Sequence, residues 1–169
     1  MKTIKAKALT VEGFAKYGEF QDLLDDESMK KKSIFPAGFL VDLVKLDFGG
    51  DTLPAISVGQ VFKKERNVVS FLEAHEHTCE GVLPLDGDVL IFVGTTHGDP
   101  STFTVDELEA FFVPKGTFVK LNPLIVHGTQ YAVEDEEVHV VIMLPGRTFC
   151  IDMLAKRLTS EDEQAELVC

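Results

Sequence analysis

Tryptophan is absent from the 169 residues and tyrosine occurs only twice, so the 9% aromatic share rests on 13 phenylalanines. Phenylalanine has no polar tip to hydrogen-bond, so these rings read as core first, with some free to line an apolar pocket. Cysteine is scarce as well: Cys79, Cys150 and Cys169 are few, odd in number and widely spaced. That pattern excludes a disulfide framework and a Cys-rich zinc site, and reduced thiols are expected. No apolar run approaches the roughly 20 residues of a membrane helix. The opening Met1-Lys2-Thr3-Ile4-Lys5-Ala6-Lys7 lacks the apolar centre of a signal peptide, so a cytoplasmic protein without a membrane partner is expected. Basic residues are the minority, 16 Lys and Arg against 28 Asp and Glu, for a net charge of −12. Counterion release from phosphates needs clustered cations, so nucleic acid is not the expected partner. Lys30-Lys31-Lys32 directly follows Asp25-Asp26-Glu27, and the two clusters partly cancel. A small anionic metabolite remains compatible, since a few local cations in a pocket can hold one.

Repeats, low-complexity blocks and Pro/Gly/Ser linkers are also missing, and the length suits one domain spanning 1–169. Within it, 1–36 reads as an N-terminal extension and 159–169 as an acidic, exposed C-terminal segment. Thr10 can cap a short helix carrying Phe14 and Tyr17 on one face, with Gly18 ending it. The stretch 22–32 is polar, a loop or a frayed helix. Strand signals then follow in series: 39–48, 55–62, 68–72, 82–85, 89–93, 111–113, 117–121 and 138–144. Asp86-Gly87-Asp88 marks a tight turn between two of them. Two pieces look helical, 104–110 and the chain after Thr159. Many short strands broken by Gly and Pro predict an all-β sandwich or barrel.

The chemistry concentrates around Ala74-His75-Glu76-His77-Thr78-Cys79-Glu80. Residues two apart on a strand share a face, so His75 and His77 are expected to project side by side, as two ligands of one metal must. Glu80, three beyond His77, joins them only if the strand is interrupted by a bulge or turn. Asn122-Pro123-Leu124-Ile125-Val126-His127-Gly128 offers a third imidazole. Two or three histidines with a carboxylate suit a divalent transition metal, Ni, Zn, Mn or Fe, without choosing among them. Cys79 reads as a small buried filler, His97 as an exposed turn residue and His139 as a surface or packing residue.

His-x-His followed by Glu, six residues and Gly87 is similar to the first cupin motif, and His127 after a proline to the second. The resemblance implies a cupin-type double-stranded β-helix, a jelly-roll barrel with a few short helices. Four ordered stretches more closely resemble the ureidoglycolate lyase (ureidoglycolate hydrolase) family. They are 9–18, Ile56-Ser57-Val58, Glu73-Ala74-His75 with 80–89, and 108–111 with Gly116 and Asn122 to His127. That family implies cleavage of ureidoglycolate to glyoxylate and urea in purine breakdown, and a homodimer. On that reading His75, His77 and His127 hold the metal, Glu80 is a fourth ligand or the base, and His75 and Glu80 are catalytic. Gln60 stands where the family has an arginine to anchor the substrate carboxylate, with Lys120 the candidate cation in its stead. Gln60 and the fuller His set equally suit another metal-dependent cupin enzyme, an isomerase or oxygenase on a sugar or organic acid. A non-catalytic metabolite-binding cupin is the third reading.

Overall fold

The computed structural model describes residues 1–35, 37–50 and 52–169. Two sheets face each other. The first is five-stranded, in the order β2 (Gly18–Asp22), β9 (Thr117–Leu121), β6 (Glu80–Pro84), β12 (Glu137–Pro145), β3 (Pro54–Phe62), with every pairing antiparallel. The second runs β10 (Ile125–Val126), β7 (Val89–Thr95), β8 (Glu109–Val113), β1 (Lys2–Ala8), β14 (Ala165–Val168), β4 (Asn67–Val69), with β11 (Tyr131–Ala132) also on β7. A small pair, β5 (Phe71–Ala74) with β13 (Leu154–Arg157), completes an all-β barrel of curled sheets.

Side-chain alternation divides the interior. On β7, Val89, Ile91 and Val93 face the five-stranded sheet and meet Val82, Val119, Val138 and Val140. Leu90 and Phe92 point the other way, onto Ile4, Leu72, Ala74 and Leu167. Burial on both faces explains why this strand reads as an unbroken apolar run rather than an alternating one. The inner layer is plugged by α1 (Val11–Phe14). Thr10 caps it, its side chain accepting from the Gly13 N–H at 3.1 Å, and Phe14 packs edge-on against Phe111 with centroids 5.2 Å apart.

Several elements differ from the sequence expectation. Of the two readings of 22–32, a loop or a frayed helix, the helical one forms, but as a capped helix, α2 (Asp26–Lys32), because the Asp25 carboxylate accepts from the Ser28 N–H. The predicted strand at 39–48 does not form, since Asp42 sits in the left-handed region at φ 57° and breaks the extended run. Leu40, Leu43, Val44 and Leu46 of this segment instead line a cavity with Phe118 and Met143. The predicted helix at 104–110 is a turn leading into β8, where Ala110 and Phe111 are buried. The C-terminal stretch is a turn followed by β14, which lies parallel to β1. In both places tertiary pairing overrides helix propensity. The last helix, α3 (Thr148–Ile151), is a single turn beside the histidine segment. No helix among the described residues is long and apolar enough to cross a membrane.

Candidate metal centre

Strand β5 carries Leu72 and Ala74 on one face and Glu73 on the other, and His75 continues the Glu73 side just past the strand end. The ladder stops there because the N–H groups of Glu76 and His77 turn to the Asp152 carboxylate. The chain bends at 76 and 77 and re-enters a sheet at Glu80, the first residue of β6. Glu80 shares the inner face with Val82, so the interruption supplies the change of face that an unbroken strand forbids. His127 comes alongside through two backbone bonds, Glu73 N–H to the His127 carbonyl at 2.9 Å and the reverse at 2.8 Å.

His75, Glu80 and His127 thereby converge, all three buried, with ligand atoms within 4.8 Å of one another. Glu80 Oε2 lies 3.1 Å from His75 Nε2 and 3.0 Å from His127 Nε2. Each imidazole is fixed from behind: His75 Nδ1 is 2.8 Å from the Asp152 carbonyl and His127 Nδ1 is 2.8 Å from the Ile125 carbonyl. A carbonyl oxygen can only accept, so both Nδ1 atoms carry the hydrogen. Each Nε2 is then either a bare lone pair facing a carboxylate oxygen or a second protonated nitrogen. A divalent cation resolves both contacts at once, as a ligand-ready imidazole donates its other N–H to a carbonyl or carboxylate. Two neutral imidazoles and one carboxylate form a donor set that suits Zn, Mn, Fe or Ni and leaves further coordination positions open.

Metal-free, the cluster behaves as a buried ion pair. Burial alone would push the Glu80 carboxyl up, but the charge and hydrogen bonds of His127 and His75 hold it down at about 2. Burial opposes charging of His127, and the Glu80 carboxylate overcomes this and raises it to about 9. Glu73, half-buried nearby, has its carboxyl pushed up, chiefly by burial. Sequence reasoning gave Glu73 no role, although its position two residues before His75 on one strand places it on the same face.

The remaining candidates stand apart from this cluster. His77 lies beyond the bend, its side chain 72% exposed, with Nδ1 3.0 Å from Asp152 Oδ1. The expected side-by-side pair with His75 does not form because the strand ends between them. Gln60 is exposed on the outer face of β3 and donates to Glu137. Lys120 projects from β9 to Glu19 on β2, on the face opposite Val119 and Leu121. Cys79 is buried, and burial raises its thiol. His97 is exposed, and His139 binds Asp86 at the rim.

No family model matches the sequence, and no curated protein matches it. Among solved structures, a dTDP sugar isomerase from Desulfovibrio desulfuricans G20 is similar at 14% identity and TM-score 0.48, over 73% of this chain and 72% of that one. A Bacillus subtilis oxalate decarboxylase, described for its Mn(II) centres, is similar at 15% identity and TM-score 0.42, over 56% of this chain and 22% of that one. RmlC from Streptococcus suis, in complex with dTDP-D-xylose, is similar at 11% identity and TM-score 0.38, over 54% and 43%.

Proposed function

We propose that the protein is a metal-dependent enzyme of the cupin type, acting on a small oxygen-bearing metabolite such as a sugar or organic acid. One observation carries this: two imidazoles, each tied through Nδ1 to a backbone carbonyl, aim Nε2 at the same buried carboxylate oxygen. His75, Glu80 and His127 would hold the ion, and bound there it supplies Lewis acidity to a hydroxyl or carbonyl oxygen. The backbone clamp between Glu73 and His127 keeps the ligands oriented. Glu73, on the ligand side of β5 and outside the ligand set, is the side chain placed to take a proton from substrate. Phe149, 6.2 Å from His75 between ring centroids, forms an apolar wall. A polarised oxygen beside a free carboxylate suits proton removal next to a carbonyl, the chemistry of an isomerase.

Cleavage of ureidoglycolate is the second reading, favoured by the four ordered sequence stretches. It needs an anchor for the substrate carboxylate, and both candidates, Gln60 and Lys120, are engaged elsewhere by Glu137 and Glu19. Metal analysis of purified, metal-loaded protein tests the site. Wild type and His77→Ala are expected to retain about one equivalent of divalent metal, and His75→Ala and His127→Ala to lose affinity at least about tenfold. A loaded wild type without metal, or equal loss in His77→Ala, overturns the assignment. Incubating the loaded protein with ureidoglycolate then separates the two readings: urea release above blank selects the lyase.

A further inference from the structure

Behind the layer that carries the histidines lies a cavity of about 310 Å³ that no step proposed above uses. It opens where β7 ends at Thr95, and the turn Pro100–Thr102 and the segment leading into β8 bound it. Val126 lines it, whereas the neighbouring Ile125 and His127 turn to the inner layer and to Glu80. Strand alternation thus separates this cavity from the metal centre by one layer of backbone. Its volume falls at the low end of the roughly 300–1,000 Å³ of small-molecule sites. Phe103 and Leu108, both buried, give it an apolar floor. Thr95, Asp99 and Glu107 set oxygen atoms around the rim. The Thr95 hydroxyl and the Glu107 carboxylate have no partner among the described residues. Asp99 Oδ1 accepts from the Ser101 N–H at 2.9 Å and the Ser101 hydroxyl at 2.7 Å, which leaves Oδ2 open. The Ser101 hydroxyl, then its N–H, hold the Asp99 carboxyl below the usual range, so it is ionised. No lysine or arginine among the described residues belongs to the lining. Lys156, close by, is turned to the carbonyls of Ser101 and Phe103 at 3.3 and 2.6 Å.

We propose that this cavity is a second ligand site, and that it binds a small organic cation bearing hydroxyl groups, of the size and chemistry of an amino sugar. The ammonium pairs with the Asp99 and Glu107 carboxylates, since charge-assisted hydrogen bonds are the strong ones. Ligand hydroxyls meet the open Thr95 hydroxyl, and the apolar face of the ligand lies on Phe103 and Leu108. Two carboxylates in one cavity repel each other, and a bound cation relieves that repulsion. The whole chain works in the same direction, because a net charge of −12 draws cations and repels anions. The site stands independently of the metal assignment, since none of its lining residues belongs to the ligand set of His75, Glu80 and His127.

Calorimetric titration of the full-length chain with glucosamine and with glucose tests this, in mildly acidic, low-salt buffer where the amine is protonated. Glucosamine is expected to bind saturably at one site per chain and about tenfold or more tighter than glucose. Its affinity is expected to be the same for metal-loaded and metal-free protein. Asp99→Asn and Glu107→Gln are each expected to weaken glucosamine about fivefold, as the loss of one charged hydrogen bond does. The amide oxygen of Asp99→Asn still accepts from Ser101, so the turn is kept. Both positions are exposed, and unchanged circular dichroism is expected. Glu161→Gln removes the same charge from the C-terminal turn, outside the cavity, and is expected to leave the affinity unaltered. Absence of saturable glucosamine binding, equal affinity for the two sugars, binding that requires the metal, or equal weakening in Glu161→Gln would overturn the proposal.

Discussion

Glu80 shows how much of the site depends on one backbone bend. Strand parity alone would turn it away from His77, and the turn at 76 and 77 releases it from that parity. Once buried against His75 and His127, it is, among the described residues, the one anion both imidazoles contact. Removing one member of a buried ionic cluster leaves the others desolvated and unpaired. In metal-free protein, Glu80→Ala is therefore expected to cost about 3 kcal/mol in urea unfolding, whereas His77→Ala, at an exposed position, should cost under about 0.5 kcal/mol. Equal effects would refute the separation of His77 from the cluster. The types and spacing of His75, Glu80 and His127 were legible in the sequence. The exclusion of His77 was not, because it depends on the Asp152 carboxylate, 75 positions away, taking the local N–H groups.

At the level of elements, the N-terminal strand and helix are fastened to the barrel by charge as well as packing. Glu109 on β8 receives Lys16 after α1 at 2.9 Å and Lys7 on β1 at 3.2 Å. The hydrogen bond from Lys16 is the main cause of its carboxyl lying below the usual carboxylate range. A depressed carboxyl stabilises the fold above its ordinary pKa, and that contribution fades as pH falls through the lowered value. Glu109→Gln is thus expected to cost at most about 1 kcal/mol near neutral pH, since the lysines are solvent-screened, with the difference vanishing in acid. Paired unfolding curves at the two pH values check it, and a difference that grows in acid would contradict the sign. The segment 104–110 shows why sequence misplaced this region: its residues favour a helix locally, but pairing with β7 and β1 draws 109–113 into a strand.

At the scale of the whole molecule, the chain ends belong to the core. β1 lies between β8 and β14, so residues near both termini close the seven-stranded sheet. Leu167, expected in an exposed acidic tail, is 1% exposed and packs with Ile4 and Val69. Leu167→Ala is expected to cost about 2–5 kcal/mol, as a core cavity does, whereas a solvated tail would lose almost nothing. Chemical denaturation distinguishes the two.

The sequence by itself determined the class of fold and the chemical material of the site. Period-two alternation, short apolar runs and turn residues specify strands wherever one face must be buried, and such local patterns are written in consecutive residues. Histidine and glutamate at 75, 80 and 127 likewise announce a donor set. Only the tertiary structure decided which of these side chains meet. Long-range pairing turned two apparent helices into strand, brought His127 beside Glu73, and let Asp152 end the strand before His77. Those outcomes rest on contacts between residues far apart in the chain, and local propensities of a few tenths of a kcal/mol per residue cannot outweigh the burial such contacts bring.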